Sequence, residues 1–248
     1  MLLHDYLKQY PRIAVAFSGG VDSSYLLYAA MEAGCDARAY FIKTQFQPRF
    51  ELDDAVRLAG SIGAPLTIRA LDALCDQNVA SNPADRCYYC KNAILATLWE
   101  LAGADGISVL CDGSNADDDE NDRPGMRAGR ERGILSPLRE CGLTKADIRR
   151  LSQQAGLFTH DKPSYACLAT RIPSGTAITE ELLEKIENSE SKLFDMGFSD
   201  FRVRLMPPGA AKLQISAAQW ADAASRREEI LNALSNDFDS VMLDLAAR

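Results

Sequence analysis

Histidine is nearly absent: the 248-residue chain holds only His4 and His160. One Cys-x-x-Cys occurs, at Cys87 and Cys90, with no second pair and no nearby histidine. The second half of a four-cysteine zinc motif is therefore missing. Both histidines read as ordinary polar residues. No Gly-Lys-Ser/Thr follows the glycine-rich turn at residues 18–20, which excludes a Walker phosphate loop. No apolar run approaches the length needed to cross a bilayer. The N-terminus MLLHDYLKQYPR lacks a basic stretch followed by an apolar one, so no signal peptide is expected. The chain is read as cytoplasmic, with no membrane partner. Basic charge is in short supply, 27 Lys and Arg against 35 Asp and Glu, for a net charge of −8. Grip on a long nucleic acid depends on neutralising phosphates, so no nucleic-acid partner is expected. A local basic cluster remains able to hold a small anion. Seven cysteines, an odd number in a chain this long, argue against a disulfide framework. Repeats and low-complexity segments are also missing.

What is present is an ordinary globular composition, 47% hydrophobic and 25% charged. Strands are expected at Arg12–Phe17, Ala37–Ile42, Pro65–Ala70 and Ile107–Cys111. Helices are expected at Val21–Ala33, Phe50–Ile62, Tyr88–Leu101 and Thr144–Gln154, the last with Thr144 as N-cap and Asp147 three residues on. Asn82–Arg86 reads as a turn. This alternation predicts an α/β fold: a parallel sheet with helices on both faces, over residues 1–165. A smaller α+β domain is expected over 176–248. It would contain the helix Thr179–Met196, strands Phe201–Met206 and Ala211–Ile215, the helix Ala217–Leu234 and the strand Ser240–Leu245. Residues 112–133, DGSNADDDENDRPGMRAGRERG, read as a long polar loop leaving a strand end, a candidate lid. The charge run Asp117–Asp122 reads as solvated. Cys35, Cys75, Cys111 and Cys141 read as small buried thiols.

The strand–turn–helix at IAVAFSGGVDSSYLLY, residues 13–28, is an anion site by construction. Gly19 and Gly20 permit close backbone approach, and the first amides of the helix are free for a negative ligand. Ser18, Ser23 and Ser24 add hydroxyl donors. Asp22 beside phosphates implies a bridging Mg²⁺ or a structural hydrogen bond. Cys87 and Cys90 lie near a helix start beside Arg86 and Lys91, which favours thiolates. Such a pair binds zinc, ligates a cluster, cycles as a dithiol or does nothing. Cys167 lies in KPSYACLATRIPSG, residues 162–175, between Pro163 and Pro173, with Lys162 and Arg171 nearby. This suits a reactive thiol, a metal ligand or a small buried residue. Arg202 and Arg204 share one face of a strand, with Val203 on the other. Two guanidinium forks there suit phosphate, or form a solvated face. Glu190 belongs to the same site or to an exposed helix face.

Ser18-Gly19-Gly20-Val21-Asp22-Ser23 resembles the PP-loop of ATP pyrophosphatases, the adenine nucleotide alpha hydrolase-like fold. That resemblance implies ATP and Mg²⁺. Ser18, Gly19, Gly20, Asp22, Ser23 and Ser24 would hold pyrophosphate and metal, with Asp112 and Asn115 near the nucleotide and main chain at 41–43 beside adenine. Together with NPADRCYYCK, DGSNADDDENDRPG, ILSPL, GLTKADIR, KPSYACLATRIP and the Arg202–Arg204 strand, it resembles one subfamily, LarE. These are ATP-dependent sulfur transferases for the nickel-pincer nucleotide of lactate racemase. The resemblance implies adenylation of a carboxylate of pyridinium-3,5-biscarboxylic acid mononucleotide, a nicotinate-derived substrate, and its conversion to a thiocarboxylate. It implies Cys167 as the catalytic, sulfur-delivering residue. It implies Arg171, Arg202 and Arg204 as holders of the substrate phosphate, a sulfide source as partner, and a homo-oligomer. The presence of Cys87 and Cys90 departs from single-cysteine members, where Cys167 would donate its own sulfur. It implies a [4Fe-4S] cluster on Cys87, Cys90 and Cys167. Sacrificial sulfur donation from Cys167, a PP-loop tRNA thiolase, a non-catalytic ATP-binding protein with structural zinc, and an ammonia-using synthetase remain as alternatives at this level.

Overall fold

The computed structural model describes residues 1–118, 124–206 and 208–246. Part of the acidic run Asp117–Asp122 and Pro207 of the Pro-Pro-Gly turn thus lie outside the described residues. In chain order the elements begin with α1 (Leu3–Leu7), β1 (Arg12–Ala16), α2 (Val21–Glu32), β2 (Asp36–Lys43), α3 (Arg49–Ile62) and β3 (Leu66–Ala70). Then come α4 (Gln77–Ala80), α5 (Arg86–Ala104), β4 (Leu110–Cys111), α6 (Pro124–Glu131), α7 (Pro137–Glu140) and α8 (Lys145–Gln154). The chain ends with α9 (Glu180–Asp195), β5 (Arg202–Met206), β6 (Ala210–Gln214), α10 (Trp220–Ser225), α11 (Arg227–Leu234) and β7 (Ser240–Leu243). These form two compact units, Met1–Ala73 with Asp85–Lys162, and Leu74–Ala84 with Pro163–Arg248. The sequence places the change near 165–176. The boundary falls instead at Lys162–Pro163, and residues 74–84 go with the second unit.

The first unit is a four-stranded parallel sheet in the order β3-β2-β1-β4. Side chains on a strand alternate between faces, and the two cores follow that alternation. Ile13, Val15, Phe17, Ala39 and Phe41 pack with Leu26 and Leu27 of α2, Leu58 of α3 and Ile148 of α8. Ala14, Tyr40, Ile42 and Leu110 pack with Leu95, Leu98 and Ala102 of α5. Each fully buried leucine contributes about 1.5–3 kcal/mol. The chain runs outward from β1 to β2 and β3, then returns to place β4 on the other side of β1. Beyond the carboxyl ends of β1 and β4 lies the switch point where open α/β sheets bind ligands.

Several elements differ from expectation, among them the short helices α1, α4 and α7, which are not among the expected helices. The strand expected over Ile107–Cys111 shrinks to Leu110–Cys111, because the Ile107 amide donates back to Ala102 O (2.8 Å) and closes the end of α5. The polar stretch 112–133 contains a helix, α6, which buries Ala128 against α5 and carries an Arg127–Glu131 pair one turn apart. The helix expected over 217–234 breaks at Arg226, whose guanidinium reaches Met196 O at 2.7 Å. The capping box of α8 forms as expected, with Asp147 N donating to Thr144 Oγ1 and Thr144 N to Asp147 Oδ2. No helix among the described residues is long and apolar enough to cross a membrane.

In the second unit β5 pairs antiparallel with β6, and β6 parallel with β7. One sheet face is apolar, with Val203, Leu205, Ala211 and Leu213 buried on the α9 and α11 side. The other carries Arg202, Arg204, Lys212 and Gln214, in register across β5 and β6. Residues 74–84 join this unit through Asn82. Its side chain donates to Pro173 O (2.9 Å) and Ile172 O (3.4 Å), and its own carbonyl accepts from Gly175 N (2.8 Å). Asn82 is buried at φ +55°, a conformation Asn and Gly tolerate better than other residues. Asn82→Ala is expected to cost about 2–3 kcal/mol, with Asn82→Gly about 1 kcal/mol milder. Equal urea midpoints for both variants and wild type would overturn this.

Candidate active site

In the first unit, the turn after β1 brings the expected residues together. Gly19 takes φ +68°, and a Cβ there would lie 3.1 Å from Ala55 backbone atoms. Gly20 is the N-cap of α2 and offers no capping side chain, so the helix amides face outward. Ser23 Oγ accepts from Ser18 N (3.2 Å) and sits 3.1 Å from Ser18 Oγ, which ties the turn to the helix. The loop after β4 closes over it. Gly113 packs against the first turn of α2 so tightly that a Cβ would lie 2.8 Å from Ser23 N. A cavity of about 240 Å³ results, lined by Ser18, Gly20, Asp22, Ser23, Lys91, Asp112, Gly113, Ser114 and Asp118, among others.

Asp22 decides what this cavity can hold. Its Oδ2 accepts from Lys145 Nζ at 2.5 Å. Its Oδ1 is buried with no hydrogen-bond partner among the described residues. A buried carboxylate oxygen left without a donor is costly, and a hard cation bound to it removes that cost. Asp112 is held in place by Ser114 N (3.1 Å), Ser114 Oγ (3.0 Å) and Ser136 Oγ (2.8 Å). Asn115 is buried, and its side chain accepts from Asp117 N (2.9 Å), so it shapes its own loop and does not line the cavity. Ser24 is also buried away from it. A second pocket of about 130 Å³ adjoins the first, sharing Ala16, Ser18 and Lys91 and otherwise bounded mainly by Phe17, Tyr40, Phe41, Ile42, Ile94 and Leu98. Lys91 has no ion-pair partner among the described residues.

Three lysines here carry no sequence signal of this role. Lys91 reads from its neighbours as a partner for the cysteines. Lys145 is the first residue of a capped helix, and only tertiary packing brings it to Asp22. Lys162, read as charge beside Cys167, instead pairs with Asp54 (2.6 Å) and donates to Gly19 O (3.3 Å). Cys87 and Cys90 occupy the first two turns of α5, with Cys87 exposed and 3.5 Å from Arg86 Nη2. Burial pushes the Cys111 thiol up to about 12, so it is inert. Cys35 and Cys141 are half-buried, and Cys75, expected buried, is exposed on the excursion 74–84.

In the second unit, Cys167 heads the short 3₁₀ turn Leu168–Arg171 and is half-buried. Its loop is clamped through backbone carbonyls. Arg202 Nη2 donates to Ser164 O (3.0 Å), Arg204 Nη1 to Thr170 O (2.6 Å) and Arg171 Nη1 to Ala166 O (2.8 Å). Arg202 and Arg204 do share a face, as their spacing predicts. Arg171, expected to hold substrate phosphate, is instead fully buried in a bidentate pair with Glu190, at 2.9 and 3.1 Å. A guanidinium out of water needs such a partner. Glu190 is correspondingly buried, not on an exposed helix face. It also accepts from Val203 N (2.9 Å) and from the Tyr165 hydroxyl. Among the described residues, no three His, Cys, Asp or Glu side chains gather into a metal-ligand group.

No protein-family model matches the chain. Among curated proteins it is 31% identical to the pyridinium-3,5-bisthiocarboxylic acid mononucleotide synthase of Lactiplantibacillus plantarum, over 96% of this chain and 87% of that one. The chain belongs to the LarE family. LarE enzymes transfer sulfur, and the parallel sheet with its SGGVDS turn is the PP-loop fold. An uncharacterized protein of Synechocystis sp. is 36% identical over 82% of this chain and 76% of its own length. A tRNA-specific 2-thiouridylase of Fervidobacterium nodosum matches at 24% over 61% of the chain and 54% of its own, consistent with a shared PP-loop superfamily.

The close fit of Gly113 predicts that Gly113→Ala pries the β4 loop from α2. Calorimetric binding of inorganic pyrophosphate, a simple probe of the cavity, should weaken about tenfold. Unchanged affinity in a folded variant would show that the loop does not shape the anion site.

Proposed function

We propose that this LarE homologue adenylates a carboxylate of pyridinium-3,5-biscarboxylic acid mononucleotide and converts it to a thiocarboxylate. The observation that carries the first half-reaction is the pair of joined cavities at the carboxyl end of β1. The polar one suits a triphosphate, and the apolar one beside Tyr40–Ile42 suits adenine. Lys91 stands where the two meet, the position of the α-phosphate. The orphaned Asp22 Oδ1 on the wall of the polar cavity suits one bond to a hard divalent ion, the phosphates supplying others. Mg²⁺ held there would offset charge on the phosphates.

The reaction is a carboxylate problem. A carboxylate oxygen attacks the α-phosphorus, forming an acyl phosphate ester as the bond to pyrophosphate breaks. The free amides of α2 with Ser18 and Ser23 hold the departing pyrophosphate, and Lys91 stabilises the charge developing on the α-phosphate. A sulfur nucleophile then adds to the activated carbonyl carbon, a C–S bond forms, and AMP leaves with the oxygen. In this reading Arg202 and Arg204 hold the substrate phosphate. The Cys167 thiolate is the nucleophile, and loss of its Cα proton breaks the Cβ–S bond of the resulting thioester, releasing the thiocarboxylate and leaving dehydroalanine. The second unit serves as the substrate-binding and oligomerisation domain of a homo-oligomer. The tRNA thiolase alternative has less support, since a net charge of −8 suits a long polyanion poorly.

The cysteines bear on the sulfur route. Cys87 and Cys90, one turn apart at a helix start, are suited as two ligands, and Cys167 as a third, of a [4Fe-4S] cluster. When bound, such a cluster would supply sulfide from an external sulfide source in place of Cys167's own sulfur.

Two outcomes are expected. Pyrophosphate release from ATP should depend on the dicarboxylate mononucleotide and fall about 100-fold in Asp22→Asn. Release that ignores the mononucleotide would overturn the substrate. Anaerobic wild type should carry about four irons and acid-labile sulfide per chain, lost in Cys167→Ala. Wild type without iron after anaerobic reconstitution would leave Cys167 as a sacrificial donor.

A further inference from the structure

The polar face of the second sheet contains a chain of hydrogen bonds that the reaction above does not use. On β5, Arg204 Nε donates to Gln214 Oε1 of β6 at 2.5 Å. The other end of the same amide, Gln214 Nε2, donates to Asp244 Oδ2 just past β7, at 2.7 Å. Asp244 is itself held by Lys212 Nζ (3.0 Å) and by the amide of Ala246 (3.1 Å). An amide has one accepting end and one donating end. Arg204 only donates, and an ionised Asp244 only accepts. Both neighbours therefore require the same orientation of Gln214. Hydrogen bonds from Gln214 and Lys212 hold the Asp244 carboxyl well below its ordinary range, at about 2, so it stays ionised at neutral pH.

We propose that Asp244 and Gln214 are positioning residues for Arg204, fixing the roll of its guanidinium so that it meets the phosphate of the mononucleotide substrate. This rests on the reading of Arg204 as a phosphate ligand. Asp244 sets the polarity of the Gln214 amide, and Gln214 then anchors Nε, while Nη1 is anchored by Thr170 O on the Cys167 loop. With Nε and Nη1 each tied to protein, the plane of the guanidinium keeps a defined direction. A guanidinium free to rotate would lose the directional match to phosphate that makes arginine effective. Lys212 stands directly across from Arg204 in the antiparallel register, so its pairing with Asp244 also keeps a second cation on the same face.

The test swaps donor and acceptor along the chain. Asp244→Asn removes the charge and lets the Gln214 amide turn, presenting NH₂ to Arg204. The double change Gln214→Glu with Asp244→Asn restores the sequence of donors and acceptors, since the new amide donates to the new carboxylate, which accepts from Arg204. Calorimetry with nicotinic acid mononucleotide should show about tenfold weaker binding in Asp244→Asn and recovery in the double variant. Binding of an unhydrolysable ATP analogue and the melting temperature should stay near wild type in both. Equal mononucleotide affinity in wild type and Asp244→Asn, or no recovery in a folded double variant, would overturn the inference. The Arg204 Nε–H resonance, identified by its loss in Arg204→Lys, reports the hydrogen bond without any ligand. It should be shifted and slow to exchange in wild type and ordinary in Asp244→Asn. An Nε–H signal unmoved by Asp244→Asn would also overturn the inference. If wild type ignores the mononucleotide while the Nε–H signal behaves as stated, the phosphate-ligand reading fails and the positioning of Arg204 stands.

Discussion

Free backbone amides at the start of α2 are the constraint around which the first unit is arranged. A helix end that offers no capping side chain must be satisfied by solvent or ligand. Here the N-cap is Gly20, and the loop after β4 lies against the same turn through Gly113. The parallel sheet makes that meeting possible, because β1 and β4 are neighbours whose following chains leave in different directions. The phosphate-sized cavity is therefore a consequence of strand order. Asp22, Lys145 and Lys162 then tune a site whose shape the backbone has already set.

A different interaction organises the second unit. The Arg171–Glu190 pair is withdrawn from water, with side chains 0% and 2% exposed. Such pairs are weak evidence of net stabilisation, yet removing one partner leaves a buried charge and costs about 3–5 kcal/mol. The pair links three pieces: the Cys167 loop through Ala166 O, helix α9 through Glu190, and strand β5 through Val203 N. Tyr165 adds its hydroxyl to Glu190 and its ring to two guanidinium groups, Arg171 at 4.5 Å and Arg202 at 5.2 Å. These neighbours hold the backbone on both sides of Cys167, which is itself half-buried.

Burial and hydrogen-bond partners sort the arginines of the second unit. Arg171, Arg202 and Arg204 look alike along the chain. Arg171 is surrounded by acceptors on all sides. Arg204 is half-buried on a sheet face that also carries Lys212 and Gln214, and it donates to Gln214 on β6 and to Thr170 O on the Cys167 loop.

Much of this protein was legible in order of residues alone. The period-two and helical patterns identified the parallel sheet, and the SGGVDS turn identified a strand–turn–helix with a free helix start, because both depend on local backbone chemistry. The Thr144 capping box and the shared face of Arg202 and Arg204 follow from the same short-range geometry. Helix α6 was hidden, since its polar, glycine-containing sequence is held by packing on α5 and not by propensity. The partnership of Lys145 with Asp22, the turning inward of Asn115, the burial of Arg171 and Glu190, and the transfer of residues 74–84 to the second unit were settled only by tertiary structure. Each joins residues far apart in the chain, and which charges meet once water is excluded depends on how the elements pack.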